Sequence, residues 1–243
     1  MNDTTPTIPA PARTQAAPRQ PVTKAGPLRH AITRHINTLQ NDYLTDRPHA
    51  VQALARLRRG VGRQATEMPD LWGLVGVEQF HAAWLAERQL PAGETQTLRA
   101  EQAAHIAVTL WAVHQQSNRT RRMHVADGPS LGSAVRRLMA GTDADEAIRK
   151  RLVRAGAATT LDVMSQRLRD LVVLLRTAEV PLDYGLLAEQ LAHWQQPGGP
   201  ARIRQAWGRS FHAYRAPARP APQDSTDTAT PSESTENNTK EHE

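Results

Sequence analysis

Between Leu28 and Phe211 the large apolar residues recur three and four positions apart, and nowhere do they alternate long enough to suggest a strand. That spacing puts them on one stripe of a 3.6-residue helix, so the chain is restricted to helices packed stripe against stripe. Leu28, Ile32, Ile36 and Leu39 mark a first helix. A second follows Pro48, with Val51, Leu54, Leu57 and Val61 inward and Gly60 and Gly62 near its end. Pro69 opens a short segment, Leu71 to Val75, and a helix through Phe80, Trp84 and Leu85 stops at Pro91. The next, from about Glu94 to Gln116, is apolar nearly all round between His105 and Val113, as a buried central helix must be.

Further along, Arg119 to Gly128 reads as a polar, basic loop. Ser130 is placed to cap a helix from Leu131 to Ala140. Asp143 and Glu146 have capping-box spacing for a helix that reaches Arg154. Thr160 can cap a long helix with Leu161, Met164, Leu168, Leu171, Val172 and Leu175 on one side. Asp183 starts another through Leu187, Leu191 and Trp194, Pro197 to Pro200 break it, and a last helix carries Ile203, Trp207 and Phe211. The expected fold is all-α, an irregular bundle of about eight or nine helices.

Three regions follow from composition. Residues 1–27 are Pro, Ala, Thr and Gln with almost no large apolar group, and residues 216–243 pass from Pro/Ala to Ser/Thr/Asp/Glu. Neither can offset its chain entropy by burial, so both are expected to be disordered tails flanking a helical domain at 28–215. There is no cysteine, which rules out disulfides, thiolate catalysis and thiolate metal sites and is compatible with a reducing compartment. No apolar run approaches the ~20 residues that span a bilayer, and no signal peptide is evident, so the expected location is cytoplasmic, with no membrane partner.

Arginine outnumbers lysine 27 to three. The formal charge is +6, but the last 28 residues hold six carboxylates against two cations and the first 27 hold three cations against one carboxylate, so residues 28–215 carry +8. Guanidinium is planar, permanently charged and forked, and fits phosphate oxygens better than ammonium does. The pairs Arg58–Arg59, Arg121–Arg122 and Arg136–Arg137 look like the footprint of a polyanion binder, although an Ala/Arg bias can also reflect a GC-rich genome. On a helical wheel Arg56, Arg59 and Arg63 share one side opposite Leu54, Leu57 and Val61, and Arg136 and Arg137 straddle the side opposite Leu131, Val135 and Leu138. Except for Glu67 near Arg63, none of these five has a carboxylate three or four residues away. Arg149 and Lys150 differ, since Asp145–Arg149 and Glu146–Lys150 are favourable i,i+4 pairs. Arg154 shares a stripe with Lys150, and Arg169 aligns with Arg176.

The sequence holds no convincing catalytic constellation. Gly128 to Gly132 spells G-x-S-x-G, but a nucleophile elbow needs a strand before the serine, and Arg121 to Asp127 is not strand-like. Ten histidines include no H-E-x-x-H, and His105, in the most apolar helix, reads as a hydrogen-bonded core residue. There is no phosphate-binding glycine loop and no carboxylate cluster for Mg²⁺. Neither an enzyme, a cofactor, a metal nor a small-molecule substrate is expected. Of the five tryptophans, four lie at core-facing positions and only Trp72 is ambiguous.

Several segments together resemble the CasB family, the small subunit of the type I-E CRISPR surveillance complex, Cascade. ALARLRRGVGR (Ala53 to Arg63) followed by PDLWGLV (Pro69 to Val75) is similar to its N-terminal part, and SLGSAVRRLM (Ser130 to Met139) followed by DEAIRKRLVRA (Asp145 to Ala155) to its middle. LRDLVVLLRTAEVPLDYGLLAEQLAHW (Leu168 to Trp194) followed by RIRQAWGRSF (Arg202 to Phe211) is similar to its C-terminal half. The resemblance implies an all-helical, non-enzymatic protein of antiviral defence. Its implied partners are the other Cascade subunits, a second copy of itself, guide RNA, and target and non-target DNA. It implies backbone binding through basic surfaces that stabilises the R-loop and its displaced strand. Carried onto this chain, the contacts are Arg58, Arg59, Arg136, Arg137, Arg149, Arg154 and Arg169, to which the wheel adds Arg56 and Arg63. Ser133 stands where the family often has a basic residue, which leaves that duty to Arg136 or Arg137. The two tails are outside the family pattern. Two other functions fit an arginine-rich helical chain: a scaffold that contacts only acidic protein surfaces, and a helix-turn-helix regulator, for which no recognition helix is visible.

Overall fold

In the computed structural model, residues 25–139 and 144–214 are described. Among them lie nine α-helices: α1 (Pro27–Leu44), α2 (Pro48–Arg59), α3 (Val77–Arg88), α4 (Glu94–Gln115), α5 (Leu131–Arg137), α6 (Ala144–Gly156), α7 (Leu161–Thr177), α8 (Tyr184–Trp194) and α9 (Gly199–Ala213). Two short 3-10 turns, Ala65–Glu67 and Pro69–Leu71, join α2 to α3. The expected tails and the Asp143 cap fall almost wholly outside the described residues.

The helix α4 is the axis, buried on every side from Ala103 to Ala112. Its alanines let neighbours approach closely, and α1, α2, α3, α7 and α8 all pack against it. In a second group, α6 packs on α7 and both pack on α5, while α5 lies along α9, which also touches α6. Gly132 makes that contact possible: a Cβ there would strike the Trp207 carbonyl, the Ser210 hydroxyl and the Phe211 amide. The G-x-S-x-G pattern therefore records helix packing. Leu168, Leu171, Val172 and Leu175 of α7 are buried as their spacing predicts. So are Leu187 and Leu191 of α8 and Ile203, Trp207 and Phe211 of α9.

Two caps form as expected. Thr160 Oγ1 accepts from the Val163 amide at 3.3 Å, and Asp183 Oδ1 accepts from the Leu186 amide at 2.9 Å. Ser130 stands at the N-cap of α5 but makes no capping bond, because its hydroxyl sits 3.2 Å from that of Ser133.

The Arg119–Gly128 segment differs more. Its arginines are exposed, yet Met123 and His124 are buried, and His124 forms an isolated parallel bridge with Leu182. Polar groups hold it there. Gln40 of α1 bonds both backbone groups of His124 and also accepts from the Trp111 indole at 3.3 Å. The Gln115 carboxamide donates to the Asn118 and Arg121 carbonyls and accepts from the Met123 amide. Beside them Arg29 Nη2 lies 2.8 Å from both Asp183 and Asp127. A segment expected to be solvated is thus clamped to α1, α4 and the start of α8.

Candidate nucleic-acid interface

The apolar side of α2 (Ala50, Ala53, Leu54, Leu57) faces the bundle, which leaves Arg56, Arg58 and Arg59 exposed. Arg56 donates to the Asp70 carbonyl, and Arg58 donates to Gln116 Oε1 at 2.7 Å. The expected stripe of Arg56, Arg59 and Arg63 is corrected. The helix ends at Arg59, Gly60 is buried against α4, and Gly62 at φ 77° turns the chain left-handed. Arg63 leaves from that turn, its Nη1 4.0 Å from Met68 Sδ. Among the described residues, no carboxylate pairs with any of these four arginines.

On α5, Arg136 lies 5.8 Å from the Phe211 ring centroid and Arg137 lies 5.1 Å from that of Tyr214, so the end of α9 supplies an aromatic floor for both cations. Neither has an ion-pair partner among the described residues. Arg154 of α6 and Arg169 of α7 are exposed and, among the described residues, likewise unpaired. Two arginines that spacing did not single out gather beside Arg154. Arg167 donates to the Arg154 carbonyl at the end of α6, and the Arg204 stem lies over Gly156. Their meeting depends on how α7 and α9 pack on α6, which no local spacing encodes.

Arg149 stands apart. Glu146 holds it with two bonds of 2.7 Å and reaches Lys150 at 3.8 Å, so the grip comes from i+3, where i+4 spacing pointed to Asp145. The Arg149 hydrogen bonds hold the Glu146 carboxyl below the usual range. Arg121 is similarly engaged, 2.6 Å from Glu179, and Arg122 donates to Asn41. Arg119 pairs with Asp46 at 2.8 Å and lies over the Tyr43 ring.

The nine expected residues divide between two groups of elements. One is α2 and the turn after it, in the layer with α1 and α4; the other is α5, α6 and α7, which pack on one another. Trp72, ambiguous by spacing, is 73% exposed, whereas Trp111, Trp194 and Trp207 are buried.

Four of the histidines serve the core. His105 Nε2 lies 3.0 Å from the Arg63 carbonyl, and burial pushes its pKa down. Burial lowers His114 further, to about 3, and also lowers His124 and His35. Among the described residues no group of three or more His, Asp or Glu could hold a metal ion. No described helix is long and apolar enough to cross a membrane.

Residues 53–212 match the sequence profile of a family described as CRISPR-associated protein Cse2. The chain is similar to the crystal structure of CasB from Thermobifida fusca at 45% identity and TM-score 0.68, over 78% of this chain and 99% of that one. It is also similar to the crystal structure of M. ruber CasB, at 22% identity and TM-score 0.48, over 73% of this chain and 92% of that one. A chain of a CRISPR RNA-guided surveillance complex matches at 26% identity and TM-score 0.48, over 74% of this chain and 93% of that one. A search of curated protein sequences found no match.

Proposed function

The chain belongs to the CRISPR-associated Cse2 (CasB) family, and from that premise we propose that it is a non-catalytic subunit of a Cascade-type surveillance complex that neutralises nucleic-acid backbone and stabilises the R-loop. The observation that carries this reading is the exposure of Arg56, Arg58, Arg59 and Arg137, with half-buried Arg136 beside the last, and the lack of a carboxylate partner for any of the five among the described residues. A bare cluster of like charge repels itself and is relieved by an anion. Backbone contacts of this kind hold a strand without reading its sequence. Exchanging a DNA duplex for an RNA–DNA heteroduplex is nearly balanced in free energy, so a few such contacts on the displaced strand tip it. The partners are the other subunits of the complex, a second copy, guide RNA and target DNA. Exposed Trp72 offers an apolar anchor for one of the protein contacts.

The test is a titration of the protein with labelled oligo(dT) at several salt concentrations. Removing one phosphate interaction lowers the log–log salt slope by about 0.7 on single strands. Arg58→Ala/Arg59→Ala and Arg136→Ala/Arg137→Ala should each lower it by about 1.4, whereas Arg149→Ala, already neutralised by Glu146, should change it by less than about 0.3. Unchanged slopes in both double variants would remove those residues from the interface.

A further inference from the structure

We propose that the arginine face of α5 and α9 is occupied, in the free protein, by the chain's own acidic C-terminal segment, residues 224–243, which competes there with polyanions; the competition rests on the functional reading above. Four observations converge on it. The first is charge: the segment holds Asp224, Asp227, Glu233, Glu236, Glu241 and Glu243 against Lys240 alone. The second is the state of the face, where Arg136 and Arg137 have no ion pair among the described residues.

The third is the point of exit. Tyr214, the last described residue, lies 5.1 Å from the Arg137 guanidinium, so the chain leaves the fold at the arginine pair. Residues 215–223 contain no acid and span at most ~30 Å when extended, enough to bring the first carboxylate onto any arginine of this face. The fourth comes from the family match, which ends at residue 212, so residues 224–243 lie wholly beyond it.

Tethering sets the strength. A segment joined by a short linker acts at an effective concentration on the order of millimolar, enough for weak electrostatic contacts to lower a competitor's affinity about three- to tenfold. Salt must erase the effect, because the contacts are exposed.

The chain has no cysteine, so Ser232→Cys provides a single site for a nitroxide label. In the full-length protein at ~50 mM salt, the label should broaden the amide signals of Arg136 and Arg137, and at ~0.5 M salt it should not. Broadening should also vanish in the full-length variant Asp224→Asn, Asp227→Asn, Glu233→Gln, Glu236→Gln, Glu241→Gln, Glu243→Gln. That variant, unlabelled, should bind oligo(dT) about three- to tenfold more tightly than the parent at ~50 mM salt, with the gap closing at ~0.5 M. Broadening elsewhere, or none, overturns the proposal, and so does broadening with unchanged oligo(dT) affinity. Broadening on this face with no oligo(dT) binding by either protein overturns the functional reading and leaves the tail contact standing.

Discussion

The Gln40 side chain takes both backbone groups of His124: its Nε2 donates to the His124 carbonyl at 3.0 Å and its Oε1 accepts the His124 amide at 2.8 Å. Both residues are fully buried, and 84 positions of sequence separate them. Gln40→Leu keeps the apolar stem but strands three groups, the two of His124 and the Trp111 indole N–H. At ~1–3 kcal/mol for each stranded group, with partial relaxation, urea denaturation should show a loss of about 3–5 kcal/mol. A loss below ~1 kcal/mol would mean that these groups find other partners.

Arg29 discriminates between its two carboxylates by burial. Asp183 is sealed at 0% side-chain exposure, whereas Asp127 is 84% exposed. Asp183 also caps α8 and accepts from the Asp127 amide at 3.2 Å. Breaking a buried pair leaves a charge uncompensated, so Asp183→Ala should cost about 3–5 kcal/mol. Asp127→Ala should cost less than ~1 kcal/mol. Equal losses in denaturant titrations would contradict this division.

Acid should unfold the protein partly through its histidines. The ordinary histidine value is 6.5, and burial lowers His114 to about 3 in the folded state. The unfolded chain therefore takes up a proton below pH 6.5 that the folded chain refuses. Stability from neutral His114 is complete above that value and is lost progressively as pH falls toward 3. The slope is about 1.4 kcal/mol per pH unit for each such group. His114→Gln gives up the 2.9 Å bond to the Tyr184 hydroxyl at every pH but removes one titrating group. Its deficit against the parent, read from urea midpoints, should shrink as pH drops from neutrality to ~4. Parallel profiles would show that His114 is not the group responsible.

Two helix glycines should respond to alanine with opposite signs. Gly132 abuts the Trp207 carbonyl and the Phe211 amide, both backbone groups that cannot yield, so Gly132→Ala should cost about 3 kcal/mol or more. Gly208, in the middle of α9, faces open space: a methyl group there would meet no atom within 4 Å. Alanine at that position only improves helix propensity, and Gly208→Ala should stabilise by about 0.5–1 kcal/mol. Thermal melts of the two variants decide the matter.

Helices are legible in this sequence wherever a stripe of large apolar groups needs a core. The run Met164, Leu168, Leu171, Val172 and Leu175 can be buried together only on a helix, and Thr160 marks where it starts. The end of α2 is less legible, because Val61 and Arg63 keep the helical spacing while Gly62 turns the backbone. The clamped loop is not legible at all. His124, Gln40, Gln115 and Asp183 are buried by bonding one another and the surrounding backbone across long separations, and a hydropathy pattern registers them as solvent-facing. The arginines divide in the same way: the exposure of Arg56, Arg59 and Arg137 follows from the wheel, but the half-burial of Arg136 over Phe211 depends on tertiary packing and the grip of Glu146 on Arg149 on rotamers that spacing leaves open.

The pairing of α5 with α9 bears on synthesis. Seven residues make a helix too short to persist alone, and the surface that supports α5 is encoded roughly 70 residues downstream, a delay of about 4–14 s at ribosomal speed. Until α9 emerges, Arg136 and Arg137 have no aromatic floor beneath them. The nascent protein thus assembles this cationic platform only once α9 has been made, after the helices that precede it have cleared the ribosome's own RNA.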